Sequence, residues 1–176
     1  MNILIPIILV ITGIILIVLL VALLAKKGYD IKREIIINAP VQKAFDYLKY
    51  LKNWDNFSER VQADPEKKEA YKGTDGTEGF MIAWSGNKKV GEGEKEIISI
   101  VEGKKIETEI RFIKPFAVTG HTAMETETIS GTQTKVTFHN SSTLPYPMNF
   151  LLLFVENGIA KDMERSLLCL KNILEK

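Results

Sequence analysis

Three stretches with different hydrophobic periods follow one another along the chain. From Ile3 to Ala25, 23 residues run as Ile, Leu and Val, with only Pro6, Thr12 and Gly13 interrupting. As a helix this stretch rises about 35 Å, enough to cross a hydrocarbon core of about 30 Å with some tilt. Pro6 falls in its first turn, where a missing N–H costs little. Asp30–Asn38 alternates and then becomes β-branched, which predicts a strand ended by Ala39-Pro40. Val41, Ala44, Phe45, Leu48 and Leu51 then recur at helical spacing, and Trp54 and Phe57 follow in a polar turn with a short second helix.

From Glu66 the period is two. Glu66–Tyr71, Thr77–Ser85, Gly91–Val101, Lys104–Lys114, Ala117–Ile129 and Thr132–Ser142 read as strands, separated by short Gly, Asn and Pro turns. Connections this short imply an antiparallel meander. After Pro145 and Pro147 the helical period returns over Asn149–Glu175, with Leu152, Val155, Ile159, Met163, Leu167, Leu170 and Leu174 as the stripe that lies on the sheet. Strands in one run with helices on one face give an α+β class.

Charge sharpens the division. Residues 1–25 carry no charged side chain, so all 23 Lys+Arg and 22 Asp+Glu lie in the remainder. The expected organisation is a transmembrane anchor over 1–25, a short juxtamembrane tether over 26–29 and one domain over 30–176. A cleaved signal peptide fits poorly, because no basic region precedes the apolar run and Leu23 and Ala25 make no small-x-small site. Lys26, Lys27, Lys32 and Arg33 follow the run, so the positive-inside rule predicts a single-pass protein with a cytoplasmic domain. The same cations either touch anionic headgroups or simply begin a solvated strand. A net charge of +1 argues against a nucleic-acid partner bound through a broad basic face. Cys169, the one cysteine, leaves no intrachain disulfide and no Cys-based zinc site.

The local sequences resemble the START-like, or SRPBCC, superfamily. Glu34–Val41, then Ala44–Leu48 and Asn53-Trp54, are similar to its opening strand, "APxxxVF" motif and helix leading to a Trp. Arg111–Pro115 resembles its mid-domain strand and Thr134–Thr137 its last strand. Pro147–Asn149 and Gly158–Asp162, with Leu167 and Leu170-Lys171, resemble the terminal helix of the polyketide cyclase/dehydrase branch. The resemblance spans about residues 30–175 and implies a helix-grip fold: a curved antiparallel sheet of about seven strands around a long C-terminal helix, here preceded by one transmembrane helix. It implies a cavity but no single chemistry, since the superfamily includes ligand carriers, lipid-transfer domains and cyclases.

Phe80, Ile82 and Trp84 share one strand face and Met81 and Ala83 the other, so this strand is buried on both sides or lines a cavity on one. With the resemblance, Trp54, Phe80, Ile82, Trp84, Phe112, Met124, Phe138, Phe150 and Phe154 become the candidate lining of an apolar pocket, and His121 a candidate polar group within it. Met148–Val155 is apolar nearly all round, so either a loop covers its outer side or it faces lipid. A two-residue Ser130-Gly131 loop sets His121 and His139 on opposite faces of their hairpin; one residue more or fewer sets them on the same face. Glu92, Glu94, Glu96, Glu107 and Glu109, joined by Arg111, read as a solvent face rather than a catalytic pair. No nucleophile elbow, P-loop, dinucleotide turn or zinc spacing is present, and no metal or cofactor is implied. The expected function is binding of a hydrophobic small molecule or lipid by a membrane-anchored domain. The rivals are a cyclase/dehydratase-like enzyme with His121 as proton shuttle, and an interaction or stress-response module without a ligand.

Overall fold

The computed structural model describes residues 3–176. Helix α1 covers Leu4–Leu24, apolar on every side, and only Ala22 is buried. Next come β1 (Gly28–Ile37), α2 (Val41–Lys49), a 3-10 turn (Leu51–Asn56) and the short α3 (Glu59–Gln62). Six strands follow: β2 (Lys68–Lys72), β3 (Met81–Ser85), β4 (Glu92–Val101), β5 (Lys105–Lys114), β6 (Val118–Ser130) and β7 (Gln133–Thr143). A 3-10 turn (Met148–Leu151) leads into α4 (Leu152–Leu174). The seven strands form one antiparallel sheet in the order β1-β7-β6-β5-β4-β3-β2. The meander is therefore sequential, and β1 closes it by pairing with the last strand.

Strand parity divides the sheet into two chemically different faces. Ile31, Ile82, Ile97, Ile106, Met124 and Val136 are buried on the concave face against the helices. The convex face carries the charged network expected from the Glu spacing. Arg111 reaches Glu96 at 2.7 Å, Glu109 at 2.5 Å and Glu94 at 3.4 Å. These pairs are part-exposed, so each contributes little to stability.

Packing differs along the strands. At one end α2 lies across the sheet, and Phe45, Leu48, Ile97, Ile106, Met124 and Leu170 form a dense core. At the other end, where β1 begins and β7 finishes, no second helix among the described residues fills the concavity. α4 spans both ends: its C-terminal half seals the core and its N-terminal half roofs the open end.

Three local readings shift. β1 starts at Gly28 rather than Asp30, since Gly28 pairs with Thr143 and the Leu144 N–H donates to the Lys27 carbonyl at 2.8 Å. β3 starts at Met81 rather than Thr77 because Gly79 takes φ +82°, closing a turn in which the Phe80 N–H donates to the Thr77 carbonyl. In the β6–β7 hairpin a register shift between Thr128 and Ser130 sets His121 opposite Ser141 and His139 opposite Ala123. Both histidines therefore share a face, and it is the convex one.

Candidate ligand cavity

The open end of the concave face encloses a cavity of about 420 Å³, between the sheet, α4 and the Leu51–Asn56 turn. Its middle is aromatic. The Trp84 ring meets Phe112 edge-on, with centroids 5.6 Å apart and planes at 83°, and Phe138, Ile82 and Ile110 extend the apolar wall. The indole N–H of Trp84 donates to the Val90 carbonyl at 3.3 Å, which fixes the ring over the strand. Gly93 makes that position available: a Cβ there would lie 2.6 Å from the indole and 2.6 Å from the Arg111 carbonyl oxygen.

One end of the cavity is polar. Lys67 bonds both Glu69 and Asp55, the latter at 3.4 Å, and the Tyr71 hydroxyl donates to Glu69 at 2.6 Å. Burial raises the Asp55 carboxyl above its usual range, the neighbouring Glu69 adds to this, and Lys67 opposes it by charge and hydrogen bond. Burial alone would also raise Glu69, but its hydrogen bonds from Lys67 and Tyr71 prevail and hold it low. The Tyr71 phenol, donating to that carboxylate, is pushed up to about 12.

Lys95 completes this end. Its ammonium sits 4.5 Å above the centroid of the Trp54 ring, while the Trp54 N–H is engaged by the Leu48 carbonyl at 2.8 Å. Burial lowers the Lys95 pKa to about 8, with Asp55 opposing from beyond ion-pair distance. The surface Lys95 leaves accessible opens into the cavity. On the opposite wall the Tyr29 hydroxyl donates to Asn140 at 2.9 Å, and Ser142 donates to the Thr119 carbonyl at 2.7 Å.

Of the residues singled out in the sequence, Trp54, Ile82, Trp84, Phe112 and Phe138 line this cavity. Phe80 and Met124 lie instead in the dense core, at 1% and 0% exposure. Phe150 and Phe154 lie outside the lining: they pack edge-on against each other, and Phe154 is 73% exposed. His121 is exposed on the convex face, so no proton shuttle inside the cavity runs through it. The polar cluster of Asp55, Lys67, Glu69 and Lys95 was not foreseen. Its signal was present in β4, where Lys95 has the parity of Ile97 while Glu94 and Glu96 take the other face.

The cavity's open end adjoins the end of α1. Asn149 sends its side-chain amide to the carbonyls of Ala22 at 2.7 Å and Ala25 at 3.1 Å, capping the final turn of the apolar helix. Lys26 pairs with Glu156 on α4, and Leu144, which binds the Lys27 carbonyl, also lines the cavity.

No family model matches the chain, and no curated protein matches it in sequence. Solved structures do match it in shape. Norcoclaurine synthase from Thalictrum flavum, in complex with dopamine and hydroxybenzaldehyde, superposes with a TM-score of 0.63 at 11% identity, over 86% of this chain and 90% of that one. A hypothetical protein from Helicobacter pylori gives 0.62 at 12% identity, over 83% and 88%. The Aha1 dimer from Colwellia psychrerythraea gives 0.58 at 17% identity, over 84% and 96%. The domain has the helix-grip fold. At these identities the likeness concerns the helix-grip architecture alone, and what the cavity accepts must be argued from its own residues.

Proposed function

We propose that this chain is a membrane-anchored helix-grip domain that holds a hydrophobic small molecule or lipid in its cavity and exchanges it with the bilayer beside it. One observation carries the reading: the segment Leu144–Val155 both caps the apolar helix and borders the cavity's open end. Phe116 and Val155 line the cavity yet are 52% and 41% exposed, and Tyr146, Leu153 and Phe154 add exposed apolar surface on the same segment. An apolar rim of this kind suits the headgroup–acyl boundary, where an anchored domain would rest it. The cavity volume of about 420 Å³ lies in the range that holds a drug-sized molecule. The complex of norcoclaurine synthase with dopamine and hydroxybenzaldehyde supports the capacity of this fold to house small aromatic molecules.

The reading makes the rigid junction between anchor and domain functional. A flexible insertion of about 20 residues after Lys27, with a root-mean-square span of about 25 Å, combined with Asn149→Ala, frees the domain from its docked position. The expected result is unchanged affinity for an apolar fluorescent probe in detergent, with slower probe transfer to and from liposomes. Transfer at the original rate would show that proximity to the bilayer is not the mechanism.

A further inference from the structure

Lys95 stands apart from the other charged groups around the cavity. Its neighbour Lys67 shows how a lysine is satisfied here, bonded to both Asp55 and Glu69. Lys95 offers three N–H donors, yet among the described residues its one close partner is the face of the Trp54 ring. Asp55 attracts it only from a distance and is already bound to Lys67. Lys95 is half-buried, and its free N–H groups open into the cavity, where an acceptor carried by a ligand can replace the water that meets them. The cavity into which it projects has room for that acceptor.

The charge around the cavity indicates the sign of the missing group. Lys67, Lys88, Lys89, Lys95 and Lys114 line it against Asp55, Glu69 and Asp162; Lys114 is paired with Glu92, so a modest excess of positive charge remains, carried by the exposed Lys88 and Lys89. An amine head would meet Lys95 as a like charge, and a neutral head would leave the ammonium uncompensated. Beyond Lys95 the walls turn apolar and lead towards Phe116 and Val155 at the open end.

We infer that the ligand is a carboxylate-headed amphiphile, its carboxylate seated on Lys95 and its apolar body laid along Trp84, Phe112 and Phe138 towards the mouth. The inference rests on the ligand-binding reading above and specifies the chemistry that the cavity selects. Lys95 is a binding residue here, and no covalent step is involved. A carboxylate replaces the water an ammonium loses on burial, and charge-assisted hydrogen bonds of this kind are strengthened in a low-dielectric site.

The test uses the full chain in detergent, titrated with dansyl-labelled undecanoic acid and with its methyl ester. Energy transfer from Trp54 and Trp84, the chain's two tryptophans, reports both. The acid is expected to bind about tenfold or more tighter than the ester. Lys95→Met should reduce the acid to the ester's affinity while leaving the unliganded protein's Tm unchanged or higher, because an uncompensated charge has been removed. Equal binding of acid and ester by the original protein, or an acid preference that survives Lys95→Met, would overturn the assignment. A fall in Tm with parallel loss of both probes would also overturn it, marking Lys95 as a prop for Trp54. Failure of both probes to bind the original protein would instead sink the ligand-binding reading itself.

Discussion

Trp84 and Phe45 show how differently two large aromatic residues are held in one small domain. Phe45 is fully buried in the dense core beside α2, whereas Trp84 is half-buried with one side on the cavity. Removing a ring from a close-packed site loses its burial and leaves a hole, at about 3–5 kcal/mol for Phe or Trp to Ala. A ring that already faces a void has fewer contacts to lose. Phe45→Ala should therefore show the full cost in urea unfolding, and Trp84→Ala clearly less, while Trp84→Ala alone alters uptake of an apolar probe. Equal stability losses for the two variants would mean that the Trp84 end is as tightly packed as the core.

Among the elements, the junction of α1 with the domain has the most specific chemistry. The last turn of a helix leaves carbonyls without partners, and here Asn149 answers those of Ala22 and Ala25. Its own side-chain oxygen, buried, takes no partner among the described residues, so the amide is held for what it donates. Lys26 and Glu156 close the same joint with an ion pair. Asn149→Ala should loosen the joint more than the domain. Trypsin should cut faster after Lys26 and Lys27, with a loss of global stability of only about 1–3 kcal/mol. Unchanged cleavage there would show that the strand pairing of Gly28 with Thr143 holds the joint without the cap.

On the scale of the whole molecule, the proposed membrane anchor makes orientation a question of charge. The helix is uncharged and ends at Lys26 and Lys27, with Lys32 and Arg33 just beyond. Such a bias favours a cytoplasmic domain. Glu107→Cys on the convex face, in a chain with Cys169→Ser, should resist an impermeant thiol reagent in intact cells and react after lysis. Ready labelling of intact cells would reverse the orientation.

Much of the architecture was legible because it is written in local periods. The change from unbroken Ile, Leu and Val to alternation and then to a 3.6 repeat located the apolar helix, the strands and α4, and Arg111 could be placed on the solvent face by parity alone. Parity assigns residues to one of two faces, but it does not say how tightly a face is covered. That depends on where α2 lies across the sheet, a contact between elements far apart in the chain. It buried Phe80 and Met124 in the core and left Trp84 and Phe112 beside a void. The histidine faces turned on one extra residue near the β6–β7 turn, since a single-residue register shift exchanges the two sides of a strand. Lys95 was readable as a lysine on an apolar face. Its place above Trp54, near acids already bound to Lys67, required β4, β2 and the Leu51–Asn56 turn to come together. Local periodicity determined the elements and their faces, because side-chain direction repeats with the backbone. The cavity and its charge were decided only by the tertiary structure, because burial and electrostatics depend on neighbours that sequence spacing does not encode.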